Sequence, residues 1–147
     1  MSNQNLTRIA TEIVTGYNSS NWAGLKELVT PDVIYNEFGT QRRIQGPDAV
    51  IKTLQEWKKA LSDSRGNVTT SFASENLVAL ELTWQGTHDG AFTGPAGTLA
   101  PTGRRQTTPA AMIVKFQGDK IKEIHHYFDM MTFLQQLGAM PAAGARA

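Results

Sequence analysis

The first third of the chain spaces its apolar residues as amphipathic helices do. Apolar residues recur every three or four positions and so share one face of a first helix: Leu6, Ile9, Ala10, Ile13, Val14 and Tyr17. A short second helix is predicted to open at Asn21 and to end at the Thr-Pro-Asp sequence around Pro31. Residues 33–38 then predict a short strand. A third helix is predicted to begin at Pro47 and to bury one face as far as Leu61.

After residue 66 the apolar spacing changes to a period of two, which is typical of strands. Four strands are predicted, at residues 68–73, 76–87, 104–117 and 120–128. A tight turn at Gly118 and Asp119 joins the last two. Helices followed by antiparallel strands are an α+β pattern, so we predict a curved antiparallel sheet that wraps around the N-terminal helices and encloses a pocket. A short helix between Asp129 and Gly138 is predicted to follow the sheet.

Length and composition favour one soluble domain. The chain has 147 residues, a formal net charge of +1 and 18% charged residues. We expect a single domain over residues 1–141 and a flexible tail over residues 142–147. The modest charge content favours a homodimer in which a second subunit covers part of the surface.

Several functional classes conflict with this composition. The only arginine clusters are two isolated pairs, Arg42 with Arg43 and Arg104 with Arg105, which is too little basic charge for a nucleic-acid partner. The absence of cysteine excludes disulfides, thiolate nucleophiles and cysteine metal sites. No apolar window is long enough for a membrane span, and the first residues do not resemble a signal peptide, so we expect no membrane partner and a cytoplasmic location.

The sequence HHYFD, at residues 125–129, concentrates the reactive side chains. Alternation along a strand puts His125, Tyr127 and Asp129 on one face and His126 and Phe128 on the other. A carboxylate in an apolar pocket has a raised pKa and suits general acid/base catalysis, while a phenol or imidazole can donate to a developing oxyanion. The alternative is that Asp129 caps the last helix, which would lower its pKa.

The third histidine has two interpretations. His88 lies in a glycine-flanked turn, where it is either a polar group at the pocket mouth or a turn residue bonded to Asp89. The histidine spacing lacks a ligand pair on one element, so we expect no metal site. Residues 90–103 are rich in glycine and proline and predict a flexible segment that closes over a ligand or contacts a second subunit.

Several motifs occur together as in one known family. They are LVTPDV at residues 28–33, WQGTHDG at 84–90, PTGRR at 101–105, GDKI at 118–121 and the Asp129-to-QLG ending at 129–138. In these the chain resembles the SnoaL-like polyketide and ester cyclases of the NTF2-like superfamily. The resemblance implies an NTF2-like α+β cone, usually a homodimer, in which an aspartate acts as general acid/base without metal or organic cofactor.

The resemblance also implies positions for the site. Asp129 matches the catalytic aspartate, although His125 replaces a common tryptophan and residues 110–113 lack the second pocket histidine of the cyclases. Superfamily members often place polar pocket residues where this chain has Tyr17, Tyr35 and Asn36. In a cone, core and pocket wall are the same surface, so we add Trp57, Trp84, His88 and Met112 as candidate ligand contacts.

Three functions remain open at this point. The first is a cofactor-independent cyclase or isomerase that acts on a hydrophobic, polyketide-like carbonyl compound, with Asp129 as acid/base and His125 and Tyr127 as donors. The second is an epoxide hydrolase that uses Asp129, Arg105 and Glu81. The third is a protein that only binds a small molecule in the same pocket.

Overall fold

A computed structural model describes residues 2–95 and 97–140, which form four helices and eight strands. The helices are α1 (Asn3–Asn18), α2 (Trp22–Glu27), α3 (Pro47–Ala60) and α4 (Met130–Gln136). The strands are β1 (Val29–Glu37), β2 (Arg42–Gln45), β3 (Arg65–Ser74), β4 (Leu77–Thr87), β5 (Phe92–Gly94), β6 (Gly97–Leu99), β7 (Arg105–Gln117) and β8 (Lys120–Phe128). The predicted tail at 142–147 lies outside the described residues.

The two long helices form where local signals predict them. The Ser2 hydroxyl caps α1 by accepting from the Asn5 amide over 3.1 Å, and the predicted apolar face of α1 is buried. Gly46, at φ +92°, reverses the chain before α3, and Pro47 supplies its first turn. Both helices pack their apolar faces toward the sheet, as predicted.

One six-stranded sheet carries most of the fold. Its strand order is β2-β1-β8-β7-β4-β3, with β1 and β8 parallel and the other neighbours antiparallel. The predicted antiparallel meander of the last four long strands is confirmed, and β1, for which no partner was predicted, adds to it in parallel beside β8. The strand predicted at residue 33 already begins at Val29, and α2 ends earlier than expected, because the Leu28 carbonyl accepts from the Ile121 amide of β8.

The segment at residues 90–103 contains regular structure that the sequence did not predict. Within it, β5 and β6 form a hairpin with a separate two-stranded ladder. Phe92 of the hairpin packs into a small apolar group, which we call the rim cluster and which comprises Ala60, Leu61, Phe92, Phe133 and Leu137. The hairpin is thereby attached to the ends of α3 and α4.

The main core lies between α1 and the inner face of the sheet. Ala10, Val33, Val78, Val114 and Ile121 are fully buried there. Fully burying an aliphatic side chain of this size contributes roughly 1.5–3 kcal/mol. Among the described residues, no helix combines the length and the apolar character needed to cross a membrane.

Candidate functional site

A cavity of about 80 Å³ lies between the inner face of the sheet and helices α1 and α3. This volume holds several water molecules or a small organic group, since one water needs roughly 10–15 Å³. Aromatic rings form much of its wall: Tyr17, Tyr35, Trp57, Trp84, His126, Phe128 and Phe133. None of the described residues that line it is a lysine or an arginine, so the cavity suits an uncharged, hydrophobic ligand.

The side chains of β8 face opposite to the sequence prediction. His126 lies on the cavity wall, whereas His125 and Tyr127 lie on the outer face of the sheet. A β-bulge causes this: Phe116 pairs with Ile121 but Lys115 pairs with Glu123, so Lys122 is an extra residue. Ile121 and His126 therefore both point inward, which simple alternation forbids.

Asp129 caps α4 and does not line the cavity. Its carboxylate accepts from the Thr132 amide over 3.0 Å and from the Thr132 hydroxyl over 2.6 Å. These hydrogen bonds lower the pKa of the exposed Asp129 carboxyl. The prediction of a cavity-facing Asp129 with a raised pKa is wrong, and the capping alternative is confirmed.

The other two members of the predicted trio have partners outside the cavity. The His125 imidazole contacts the Glu123 carboxylate, and that contact lowers the pKa of Glu123. Tyr127 is exposed and stacks on Phe38 with ring centroids 4.6 Å apart. The structure therefore does not bring His125, Tyr127 and Asp129 together around a ligand.

A different set of polar groups lines the cavity as a chain of hydrogen bonds. The Trp84 indole donates to His126 Nε2 over 3.1 Å, and the Tyr35 hydroxyl donates to Glu37 Oε2 over 2.8 Å. The Tyr35 oxygen also lies 2.7 Å from His126 Nδ1. Because the single Tyr35 proton goes to Glu37, His126 Nδ1–H must be the donor in that contact. Donation thus runs in one direction, from Trp84 through His126 and Tyr35 to Glu37.

Glu37 ends this chain as a fully buried carboxylate. Oε1 accepts from the Thr40 hydroxyl over 2.5 Å and from Arg42 over 2.7 Å, and Oε2 also accepts from the Trp57 indole over 2.8 Å. Burial alone would raise the pKa of Glu37, but the hydrogen bonds from Thr40, Arg42 and Tyr35, together with the Arg42 charge, lower it overall. Glu37 is therefore an anion at neutral pH.

His126 and Tyr35 are both held uncharged. Burial lowers the pKa of His126 to about 4, although the Glu37 charge opposes this. The Trp84 donor has the same effect, because a protonated Nε2 could no longer accept its indole N–H. Burial and the neighbouring Glu37 charge raise the pKa of Tyr35 well above its usual value. The pair is a neutral imidazole joined to a neutral phenol.

A second polar pair lies on the cavity wall opposite the sheet. The hydroxyls of Tyr17 and Ser64 are 2.5 Å apart, and burial raises the pKa of Tyr17 to about 12. One of the two protons forms the bond between them. The other has no acceptor among the described residues, which leaves one hydroxyl donor for a ligand.

His88 and Asn36 lie away from the cavity wall. His88 is fully buried, and its Nδ1 accepts from the Thr102 amide over 3.1 Å. Neither interpretation of His88 is correct, since Asp89 bonds instead to Ser62. Asn36 pairs with Arg43 and His125 on neighbouring strands, away from the inward Tyr35 and Glu37.

The remaining predicted contacts do line the cavity: Tyr17, Tyr35, Trp57, Trp84 and Met112. Sequence reasoning missed Glu37, His126, Ser64 and Gln106. The inward alternation of Val33 and Tyr35 on β1 was a signal for Glu37. Among the described residues, no three histidine, aspartate or glutamate side chains are placed to hold a metal ion.

Comparisons with known proteins agree with this architecture. AclR from Streptomyces galilaeus, a proposed hydroxylase, is 25% identical, with a TM-score of 0.81 over 96% of this chain and 89% of its own. IdmH from Streptomyces antibioticus, a proposed polyketide cyclase, is 23% identical, with a TM-score of 0.78 over 90% of this chain and 98% of its own.

A further relative at lower identity shows the same fold. It is a proposed SnoaL-like polyketide cyclase from Jannaschia sp. CCS1, 15% identical, with a TM-score of 0.83 and 95% coverage of both chains. The fold is thus the predicted NTF2-like, or ketosteroid isomerase-like, α+β cone. A search of the curated proteins found none that matches the sequence. The family model for SnoaL-like polyketide cyclases matches residues 7–137, and the chain therefore belongs to that family.

Proposed function

We propose that this protein is a cofactor-independent cyclase or isomerase for a hydrophobic, polyketide-like carbonyl compound, with His126 as the proton acceptor. The observation that carries the proposal is the one-way hydrogen-bond chain from Trp84 through His126 and Tyr35 to Glu37 on the wall of an apolar cavity. Membership of a cyclase family supports the reaction class.

His126 suits the role of base better than Glu37 does. Each Glu37 oxygen already accepts at least two hydrogen bonds, which saturates its lone pairs. His126 Nε2 holds a single, longer bond from Trp84, and ligand entry that turns the indole would release its lone pair. When Nε2 gains a proton, the Glu37 charge stabilises the imidazolium through Tyr35.

The reaction begins with proton transfer from the carbon next to a ligand carbonyl. His126 Nε2 takes the proton, and the electron pair of the C–H bond moves to the carbonyl oxygen to form an enolate. The free hydroxyl proton of the Tyr17–Ser64 pair stabilises this oxygen. The enolate carbon then attacks a second carbonyl of the same molecule. Alternatively, if the ketone is β,γ-unsaturated, the enolate is a dienolate and takes the proton back from His126 at its γ carbon, which moves the double bond into conjugation. In the first case the new alkoxide takes the proton back from His126.

One observation favours a second candidate, a protein that binds a ligand without turnover. Both ring nitrogens of His126 already have hydrogen-bond partners. In that case the hydrogen bonds from Trp84 to Glu37 would only stabilise the fold and order the cavity wall. The epoxide hydrolase alternative has no comparable support, because Arg105 bonds to Asp63 and Glu81 to Thr70, both on exposed surface away from the cavity.

Exchange of ligand protons for deuterium tests the proposal. We would incubate the protein in D₂O with a set of hydrophobic ketones and follow α-proton exchange by mass spectrometry. Wild-type protein should accelerate exchange, and His126→Gln should reduce the acceleration at least about a hundredfold, as loss of a general base does. The matched control is His125→Gln, which changes the adjacent histidine on the outer face.

Equal rates of α-proton exchange with the wild-type protein and with His126→Gln would show that His126 is not the base. Ketones that bind the wild-type protein without any exchange would favour the binding protein instead.

A further inference from the structure

Gln106 and Thr108 form a polar position on the strand β7 that the proposed reaction does not use. They are two residues apart and so share the inner face of the strand. Both are buried, with 3% and 2% of their surface exposed, and both lie on the cavity wall. A glutamine in so apolar a wall requires partners for both ends of its amide.

Only one end of the Gln106 amide has a partner. The Thr108 hydroxyl donates to Gln106 Oε1 over 2.6 Å, which orients the amide. Gln106 Nε2 then carries two N–H donors, and the amide has no other hydrogen bond to a described side chain or backbone group. In the free protein a cavity water can take this place, and a ligand oxygen can replace that water.

This amide lies at the same end of the cavity as the Tyr17–Ser64 pair. Gln106 pairs across the sheet with Gly86, and a Cβ atom on Gly86 would lie 2.9 Å from the Ser64 Cα. Ser64 therefore packs against the strand position beside Gln106. A carbonyl oxygen has two lone pairs and can accept one hydrogen bond from each side.

We propose that the Gln106 amide, oriented by Thr108, binds the carbonyl oxygen of the ligand together with the Tyr17–Ser64 hydroxyl. The inference rests on the proposed function only in taking this cavity as the ligand site. A ligand hydroxyl brings a proton of its own and needs an acceptor as well, whereas a carbonyl oxygen needs only the two donors that this end of the cavity offers. A carboxylate would be buried in a wall whose described residues include no lysine or arginine. The recognised group is an uncharged ketone.

Three small probes of one shape test this inference: 1-indanone, 1-indanol and indane. Binding is measured by titration of the indole N–H NMR signals of Trp57 and Trp84, which both line the cavity. The measured quantity is the Kd of indane divided by the Kd of indanone. Comparing this ratio between variants cancels the different tendencies of the two probes to leave water.

Gln106→Leu should lower this ratio about fivefold relative to the wild-type protein, as loss of one neutral hydrogen bond does. Thr108→Val keeps the amide but frees its orientation, so it should lower the ratio about twofold. The matched control is Gln117→Leu, an exposed glutamine at the end of the same strand, which should leave the ratio unchanged. If Gln106→Leu fails to fold, the Kd ratio of Thr108→Val tests the role of the Gln106 amide instead.

An unchanged ratio in both cavity variants would overturn the role of Gln106 and leave the proposed function standing if α-proton exchange persists. Selective weakening of indanol would show that the amide presents its oxygen instead, which also overturns it. If no probe binds the wild-type protein, the Gln106 site fails, while α-proton exchange with the set of ketones still tests the proposed function separately.

Discussion

The His126 Nδ1 nitrogen lies 2.7 Å from the hydroxyl oxygen of Tyr35, across the parallel strands β8 and β1. This contact joins the strand carrying the candidate base to the strand carrying the buried anion Glu37. It also fixes the tautomer of His126, because the Tyr35 proton is already committed to Glu37. The properties of the site therefore depend on both partners.

The first prediction concerns the pH dependence of stability. The pKa of His126 is about 4 in the folded protein and near 6.5 when unfolded, so the unfolded chain takes up the proton first. Stability should fall as pH drops from 6.5 toward 4, by about 2 kcal/mol between about pH 8 and pH 5 from His126 alone. Urea unfolding at a series of pH values measures this.

Substituting His126 tests whether this residue causes the pH dependence of stability. His126→Gln should flatten the pH dependence, apart from the share of His88, whose pKa is also lowered by burial. A slope unaffected by His126→Gln would contradict the low pKa.

Removing the Tyr35 hydroxyl should break the chain at its centre. Tyr35→Phe leaves His126 Nδ1–H without its acceptor, so the free energy of unfolding should fall by about 1–2 kcal/mol. The α-proton exchange should fall with it. Tyr127→Phe removes an exposed hydroxyl on the outer face and should change stability by less than about 0.5 kcal/mol. Equal losses of stability in the two variants would contradict the role of Tyr35 as a link between His126 and Glu37.

Neutralising Glu37 should lower the free energy of unfolding more than removing the Tyr35 hydroxyl does. Glu37→Gln leaves Arg42, whose side chain is only 30% exposed, without its main counter-ion. We expect a loss of about 2–4 kcal/mol, because an uncompensated charge remains partly buried. Glu56 also approaches Arg42, at 3.6 Å, but is 54% exposed, so Glu56→Gln should cost about 0.5 kcal/mol or less. Thermal or urea unfolding of both variants ranks them.

Asp129 should behave as a helix cap. Asp129→Asn keeps a capping oxygen and should change the free energy of unfolding by less than about 1 kcal/mol, while Asp129→Ala should lose about 1 kcal/mol. Neither should alter α-proton exchange. A carboxyl-carbon NMR titration should give a pKa below the usual value of 3.8. A raised pKa, or loss of exchange in Asp129→Asn, would restore the catalytic interpretation.

The homodimer stays a prediction. Ile113 of β7 and Tyr127 of β8 lie on the outer sheet face, which α1 does not cover. Sedimentation should give twice the 16.1 kDa mass of one chain. Ile113→Asp should shift the protein to monomers, because it would bury a charge in the interface. A wild-type monomer at micromolar concentration would contradict the prediction.

The sequence predicted the elements whose causes are local. The helical faces of α1 and α3 and the turn between β7 and β8 follow from spacing, proline and glycine within a few residues. The family resemblance indicated Tyr35 as a wall residue, and the coincidence of core and pocket wall in a cone indicated Trp57 and Trp84. The two helical faces and the turn depend little on distant parts of the chain.

The face of β8 that lines the cavity was not predictable in the same way. It depends on the bulge at Lys122, which arises from the pairing of β8 with β7 and β1. Alternation from Ile121 would put Asp129 inward, and the extra residue reverses it. Glu37 was missed because a charged residue usually marks an exposed position, and because its partner Trp57, on α3, becomes a neighbour only in the folded chain.

The separate ladder of the β5–β6 hairpin has a consequence for how the family can diversify. Among the described residues, the hairpin strands bond only to each other, and Phe92 attaches them through the rim cluster. Leu61 and Phe133 of this cluster also line the cavity, so part of the cavity wall is formed by side chains packed outside the six-stranded ladder. A substitution at Phe133 can therefore change the shape of the cavity without changing the strands that hold His126. Cavity shape and sheet structure can, to that extent, evolve separately.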